Sequence, residues 1–442
     1  MSADWPNVHL EEVITQRKEF IFIDDLEVYK RCRVQLHAKG IVLRDLVPGL
    51  EIKTKKQQVC RAGEFLVAEI DAKVGGFGVV PDELDGAIVS SHYFLFEIDE
   101  TKLDRKFLDF FIRTPNFSNQ VNAQGSTNYA AIRPNDVLGY QIPLPPLDEQ
   151  RRIVARIEEL AARIEEAQKL RRQAAEEAEA MWVSALSVAY KPKEYYNSDG
   201  NITAEDLLRE QAREYADGFV GRYNNAHPWA PLIESKGLYS LPKHWIWTNL
   251  GSILTRVVDC VNDTPDFSPN DTGFVGLKST NIRPYKLDLS TKWFMTPQDF
   301  AFWNRREQPL PGDIILTREA PMGNACLIPD GIHVCLTQRL LLLRCDERFI
   351  SNRYILHFLN SPHFQDTITD LCRGLTTPHI RVKDVPDITI PVPPLDEQRR
   401  IVARLDELQA QVDRLKKHQV RTAEELDALL PAVLERAFRG EL

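Results

Sequence analysis

The sequence contains no apolar run approaching the ~20 residues needed for a membrane-spanning helix. Its opening, Met1 to Val13, carries acidic and polar residues where a secretory leader would have a basic stretch followed by an apolar one. Neither a membrane span nor a leader is expected, and the expected location is cytoplasmic. Cysteine is sparse and scattered: Cys32, Cys60, Cys260, Cys326, Cys335, Cys345 and Cys372 never fall in a C-x-x-C spacing. This argues against a zinc ribbon and a disulfide framework, and leaves buried free thiols as the expectation. Basic charge is not in excess, since 55 Lys and Arg against 64 Asp and Glu give a formal charge of -9. A polyanionic partner is compatible with that balance only if the basic residues gather on particular loops.

Catalytic signatures are also missing. There is no Asn-Pro-Pro-Tyr or Asp-Pro-Pro-Tyr tetrapeptide, no glycine-rich cofactor loop after a strand, no His-Glu-x-x-His and no paired acidic nuclease motif. Gly273-Phe-Val-Gly-Leu-Lys-Ser-Thr280 comes nearest to a phosphate loop, but Leu277 stands where a glycine is required, so the backbone would not cradle phosphates. No catalytic residue, metal site or cofactor is expected on this chain.

What is present is a long-range duplication. Ile142-Pro-Leu-Pro-Pro-Leu-Asp-Glu-Gln-Arg-Arg-Ile-Val-Ala-Arg-Ile157 recurs 248 residues later as Ile390-Pro-Val-Pro-Pro-Leu-Asp-Glu-Gln-Arg-Arg-Ile-Val-Ala-Arg-Leu405. Ile132-Arg133 and Asp136-Val137 recur at the same offset as Ile380-Arg381 and Asp384-Val385. Further upstream, Ala62-Gly-Glu-Phe-Leu-Val67 resembles Pro311-Gly-Asp-Ile-Ile-Leu316, a turn feeding a buried strand in each half. The period is too long for a solenoid and indicates tandem copies of a domain-plus-helix unit.

Each proline motif starts a helix. Pro145-Pro146 and Pro393-Pro394 cannot lie inside one, Asp148 and Asp396 are suited to cap it, and Glu149 and Glu397 suit its positive end. In the second copy Ile401, Leu405, Leu408, Val412, Leu415, Leu426, Leu429 and Val433 form a heptad seam. In the first the seam runs from Ile153, Ile157, Leu160 and Ile164 into Ala167, Arg171, Ala174, Ala178, Met181 and Ala185. Antiparallel pairing would set the alanine-rich half of one helix against the leucine-rich half of the other. The expected packing residues are therefore Ile153, Ile157, Leu160, Ile164, Ala174, Ala178, Leu405, Leu408, Val412, Leu415, Leu426 and Leu429. A helix of roughly forty residues would be a rod about 60 Å long.

These patterns predict an α+β fold: two mixed α/β domains separated by two long helices that form an antiparallel coiled coil. The expected boundaries are residues 1–147 for the first domain, 148–190 for the first long helix and 191–234 for a connector. Residues 235–395 form the second domain and 396–442 the second helix.

Gly125-Ser-Thr-Asn-Tyr-Ala-Ala-Ile-Arg-Pro-Asn-Asp136 with the Pro-Pro-Leu-Asp-Glu-Gln helix start, the opening Leu241-Pro-Lys-His-Trp-Ile-Trp-Thr-Asn-Leu-Gly251 and the duplicated layout resemble the specificity (S) subunits of type I restriction-modification systems. The first domain departs from the Leu-Pro-x-x-Trp opening, retaining Trp5 and Leu10, and the second has Gly374-Leu-Thr-Thr-Pro-His379 in place of Gly-Ser-Thr. The resemblance implies two target-recognition domains, each reading half of a bipartite site in double-stranded DNA, with the long helices setting the spacer. It also implies docking of two methyltransferase (M) subunits and of restriction (R) subunits, with S-adenosylmethionine, ATP and magnesium belonging to those partners.

Base reading needs paired donors and acceptors, and phosphates need lysine and arginine. In the first domain the candidates for DNA contact are Arg44, Lys53, Lys55, Lys56, Lys73, Gln124, Ser126, Thr127, Asn128 and Tyr129. In the second they are Lys278, Ser279, Thr280, Asn281, Arg283, Arg305, Arg306, Arg318, Asn324, Arg373, Thr376, Thr377 and His379. Arg133 and Arg381, being duplicated, are expected to hold each domain end to its helix through a carboxylate. The aromatic run Trp293, Phe294, Phe300, Phe302 and Trp303 is expected to be core. A rival reading keeps the coiled coil but has both domains bind protein without DNA sequence preference.

Overall fold

The computed structural model describes residues 5–121, 131–190, 203–215, 239–261, 263, 265–372 and 379–442. Its contacts divide the chain into two compact units, Met1–Gln173 with Lys417–Leu442, and Ala174–Lys416. The division follows packing and not sequence order, so each unit contains one globular region and a segment of both long helices.

In the first unit an antiparallel sheet orders the strands Ile14–Arg17, Tyr93–Ile98, Phe65–Ala68 and Phe77–Val79. All four residues of Phe65–Ala68 are buried because both faces of the sheet are covered. Phe65 and Val67 enter the core that the helices share, while Leu66 enters a second core with Cys32, Ile41 and Leu95. The second unit repeats this order with Leu254–Asp259, Leu340–Cys345, Ile314–Thr317 and Ala325–Leu327. There Ile314 and Leu316 face one core and Ile315 the other.

The repeated Gly-Glu and Gly-Asp turns have one construction. Gly63 and Gly312 sit at φ 81° and 86°, a left-handed conformation that a side chain would strain. The next residue is a buried carboxylate that accepts a backbone N–H from three residues earlier, Glu64 from Arg61 at 2.7 Å and Asp313 from Leu310 at 2.8 Å. An arginine completes each: Arg17 on Glu64 and Arg344 on Asp313. The inserts on this shared scaffold differ. The first unit carries a five-stranded sheet ordered Phe20–Phe22, Lys56–Val59, Ile88–Val89, Val28–Gln35 and Gly40–Pro48. The second carries a parallel pair, Phe274–Leu277 with His333–Leu336.

The long helices span Leu147–Tyr190 and Leu395–Phe438. Each begins one residue before the expected aspartate: the N–H groups of Gln150 and Gln398 donate to the carbonyls of Pro146 and Pro394 at 3.0 Å, and Asp148 and Asp396 are exposed within the first turn. The motif's glutamine does the anchoring. Buried Gln150 accepts from Asp104 N at 2.8 Å and donates to the carbonyls of Lys102 and Pro145, both at 2.9 Å. Gln398 likewise accepts from Ser351 N at 2.9 Å and donates to Pro393 O at 3.0 Å. Arg133 and Arg381 do not reach the helices as expected. Asp384 takes the Arg381 guanidinium at 2.9 Å, so Arg381 serves its own local turn; at Arg133 it is the backbone N–H that donates to Asp136, at 2.7 Å, and its guanidinium pairs with no helix carboxylate among the described residues.

Each core is closed by the beginning of one long helix and the end of the other. In the first unit Phe438 inserts beside Phe107 and Phe111, with ring centroids 5.0 and 5.1 Å away, in the core that also holds Ile153 and Ile157. In the second, Tyr190 lies 5.1 Å from Tyr354 and 5.4 Å from Phe358 in the core that holds Ile401 and Leu405. The two helices run antiparallel. Within the first unit Gln168 donates to Asp427 at 3.0 Å, Gln419 donates to the Arg171 carbonyl at 3.0 Å, and Arg171 donates back to the Gln419 carbonyl. Within the second, Lys416 meets Glu179 at 2.5 Å.

The seam departs from a strict heptad. Ile153, Ile157, Ala178, Leu405 and Val412 are buried, and Leu160, Ile164, Ala174, Leu408, Leu415 and Leu426 are half-buried, but Leu429 is 44% exposed. Leu430, Val433, Leu434 and Ala437 take the inward positions there, and Trp182 replaces Met181 in the other helix. An α-helix at 3.6 residues per turn drifts about 20° per heptad from a 3.5-residue repeat, so over the four heptads from Ile401 to Leu429 the seam turns by about 80°, most of the roughly 100° between neighbouring positions.

In the second unit His357 links the domain to the helix. Its imidazole, 1% exposed, lies 2.9 Å from Asp406 on the long helix and 3.4 Å from the Tyr285 hydroxyl, while Arg353 also pairs with Asp406. The first unit keeps only the ion pair, Lys106 to Glu158 at 2.6 Å, with Phe110 at the matching position three residues after Phe107. Burial outweighs the pull of Asp406 and holds the His357 imidazole below its ordinary pKa. Asp406, although burial works against it, is held below the usual carboxylate range by His357 and Arg353.

Among the described residues no helix is long and apolar enough to cross a membrane. No cysteine is in a disulfide; Cys32, Cys60, Cys260, Cys326 and Cys335 are buried, and Cys345 and Cys372 are half-buried.

Phe438→Ala should cost about 3–5 kcal/mol in denaturant unfolding, as for other buried aromatic truncations, whereas Leu429→Ala should change it by less than about 0.5 kcal/mol. With a lowered folded pKa, His357 binds fewer protons folded than unfolded, so stability falls as pH drops below about 6.5. His357→Phe should flatten the unfolding free energy between about pH 5 and 7.

Candidate nucleic-acid interface

In the second unit the strand Ile314–Thr317 delivers Arg318 to a point where several loops meet. The Arg318 N–H donates to Arg339 O at 2.8 Å, and its carbonyl accepts from Ile380 N at 3.0 Å. Ser279 Oγ donates to Ala320 O at 3.3 Å, and Thr337 Oγ1 to Leu277 O at 2.6 Å, which ties in the 278–281 turn. Arg339 adopts φ 77°, an uncommon conformation for a residue with a side chain, and pairs with Glu319 at 2.9 Å. Lys278 places its ammonium 3.2 Å from the Trp293 ring centroid and 4.6 Å from that of Phe267, and desolvation lowers its pKa. Exposed Thr280 and Arg283 continue the same stretch. Lys278, Arg283, Arg318 and Arg339 bring four cations to this junction and its flank, with Glu319 against Arg339 and Asp288 3.8 Å from Arg283.

The first unit builds the same junction from different side chains. Glu69, after the strand Phe65–Ala68, donates its N–H to His92 O at 2.8 Å and accepts from Ile132 N at 3.0 Å. Its carboxylate meets His92 Nδ1 at 2.7 Å. Lys73 is exposed on the next turn, Asp71–Val74. The neighbouring chain packs tightly against it: Gly75 has φ 79°, and a Cβ there would come within 2.6 Å of Ala38 N. The five-stranded sheet adds further basic residues, because residues 17–61 hold eleven Lys and Arg against six Asp and Glu.

The candidates separate into several groups. Lys278, Ser279, Arg318 and His379 belong to the junction of the second unit, with Thr280 and Arg283 flanking it. Asn281 is buried and donates to the carbonyls of Asp288 and Thr291 at 2.8 and 2.9 Å. Asn324 donates to Ile282 O at 3.1 Å. Arg306 is taken up by Asp259 and the Cys260 carbonyl. These three hold their own loops together. Arg305 is exposed and stacks on Phe302 at 3.8 Å. Phe302 itself is 48% exposed, contrary to the expected core role, whereas Trp303 is buried.

In the first unit Arg44, Lys53 and Lys56 are exposed, Lys56 lies 4.5 Å over Phe20, and Lys55 is held by Asp25 and the Gly49 carbonyl. Gln124, Ser126, Thr127, Asn128, Tyr129, Arg373, Thr376 and Thr377 lie outside the described residues. Sequence reasoning missed Glu69, His92 and Arg339. The available signal was the repeated turn-and-strand, whose first following residue is Glu69 in one copy and Arg318 in the other. Among the described residues no group of three or more His, Cys, Asp or Glu side chains is placed to hold a metal ion.

Two mixed α/β modules on one scaffold, each completed by an antiparallel pair of helix segments and unlike in their loops, define a tandem-repeat protein of the two-module, coiled-coil class. The family model for the type I restriction modification DNA specificity domain matches residues 3–173 and 290–424, and the chain belongs to that family. The specificity subunit of the type I restriction enzyme EcoBI from Escherichia coli is 21% identical over 358 residues, covering 80% of this chain and 69% of that protein. The crystal structure of the HsdS subunit from Thermoanaerobacter tengcongensis aligns at TM-score 0.64 and 26% identity over 100% of this chain and 98% of that one. A chain from a structure addressing complex assembly and conformational transition of the type I R-M system aligns at TM-score 0.68 and 26% identity over 100% of both.

Asn281→Ala should lower the stability of the second unit by about 1–3 kcal/mol, because it removes the two hydrogen bonds that the buried Asn281 amide donates to the Asp288 and Thr291 carbonyls. Thr280→Ala should stay within about 0.5 kcal/mol of the parent in the same unfolding measurement.

Proposed function

We propose that this chain reads a bipartite site in double-stranded DNA, one half-site per unit, and carries two methyltransferase subunits and the restriction subunits to it. The observation that carries this reading is the junction built twice on one scaffold with unlike side chains, Glu69 with His92 in one unit and Arg318 with Arg339 in the other. A protein that reads two different sequences needs constant positioning and variable contacts. The long helices, 44 residues each, set the spacer between half-sites; at 1.5 Å per residue each is about 66 Å long. The chain does no chemistry itself. S-adenosylmethionine, ATP and magnesium belong to the partner subunits. The two long helices hold 18 Asp and Glu against 15 Lys and Arg, a net -3 of the chain's -9, so most of the acidic excess lies outside them.

With its methyltransferase partner present, the chain should bind one bipartite duplex with an affinity that falls steeply with salt. Exchanging residues 1–142 for the corresponding domain of another such subunit should change one half-site and leave the other half and the spacer intact. Binding without sequence preference would favour the protein-binding scaffold instead, and a change in both halves would refute independent reading.

A further inference from the structure

The two junctions differ in charge at one equivalent position. Glu69 and Arg318 each follow the third strand of the same sheet order. Each donates its N–H to a residue next to or at the start of the neighbouring long strand, His92 or Arg339. Each accepts from the isoleucine, Ile132 or Ile380, that opens the repeated Ile-Arg-x-x-Asp turn. The backbone geometry at both sites is fixed by the same 2.8 Å and 3.0 Å hydrogen bonds, so the side chains start from matched positions. What they present is opposite. Glu69 is half-buried, and His92 occupies its Oε2, leaving Oε1 without a partner among the described residues. Arg318 is also half-buried, and its Nη1 reaches Ile380 O at a long 3.5 Å. Its buried Nε meets no acceptor among the described residues. A half-buried guanidinium with unfilled donors, and a carboxylate steadied on one oxygen only, are both incomplete as internal interactions.

We infer that Glu69 and Arg318 are the equivalent specificity-determining residues of the two units, Arg318 reading a guanine in one half-site and Glu69 a cytosine in the other. The inference rests on the proposal that these junctions face DNA. The guanidinium fork matches the O6 and N7 acceptors of guanine, and a carboxylate accepts from the N4 amino group of cytosine. Around Arg318 the cations Lys278 and Arg339 supply phosphate contacts that hold the register, with Glu319 orienting Arg339. Around Glu69, His92 fixes the carboxylate, and Lys73 is the nearby phosphate-binding cation.

The test maps methylated bases genome-wide in cells expressing the full chain with its methyltransferase partner, together with competition binding on duplexes varied at single positions. Arg318→Gln should convert one guanine of one half-site to adenine, the base that glutamine pairs with in two places, and cost about tenfold or more in discrimination at that position. Glu69→Gln should relax one cytosine of the other half-site by a similar factor. Each variant should leave the opposite half-site and the spacer unchanged. If Arg318→Gln does not fold, Arg318→Lys carries the test: it keeps the charge but loses the fork, so guanine preference should fall while non-specific affinity holds. Variants that keep both half-sites unaltered overturn the inference and leave bipartite reading standing. So does an Arg318→Gln variant that weakens all sequences equally with a shallower salt slope, the mark of a phosphate contact. A parent chain that yields no bipartite motif overturns DNA reading itself, and this inference with it.

Discussion

Neither globular region closes its core by itself. In the first unit the space beside Phe107 and Phe111 is filled by Phe438, the last residue of a helix that starts at Leu395; in the second, the space beside Tyr354 and Phe358 is filled by Tyr190, the last residue of a helix that starts at Leu147. A helix whose beginning and end are both buried in this way cannot shorten, slip or unwind without opening a core. The glutamines at the helix starts add a polar lock, since removing Gln150 or Gln398 takes the donor from the buried Pro145 or Pro393 carbonyl bond. Helix length is therefore held by packing at both ends, and the loops are relieved of any structural duty except at their roots.

Much of this was legible in the sequence because it is written twice. The repeat at Ile142 and Ile390 marked the helix starts, and the Gly-Glu and Gly-Asp turns marked a buried strand in each half. The parts that were misread share a cause, which is that one-dimensional pattern does not encode direction. Leu429 satisfies a heptad and faces solvent because helical drift carries the seam to Leu430. Asn281, Asn324 and Arg306 have the composition of a reading surface, yet each is turned inward to support a loop. Glu69 and His92 were passed over because an acidic residue and a histidine in an acidic chain carry no visible excess of charge; only the hydrogen-bonded junction gives them a place.

The arrangement separates two demands that usually conflict. Scaffold residues such as Phe65, Ile314, Glu64 and Asp313 are buried or paired, and changing them costs stability. The residues that follow the strands have their main chain set by backbone hydrogen bonds that are the same in both units although the side chains differ. Charge can then reverse from Glu69 to Arg318 while the fold stays the same. A domain of this kind can acquire new contacts at the junction without disturbing the core that the helices close.

The most direct test is a structure of the chain with its methyltransferase partner on the DNA duplex that the pair modifies. The Glu69–His92 junction and the Arg318–Arg339 junction should lie against base edges in two separate stretches of major groove. Junctions turned toward solvent or protein, with the grooves read by other loops, would contradict that placement.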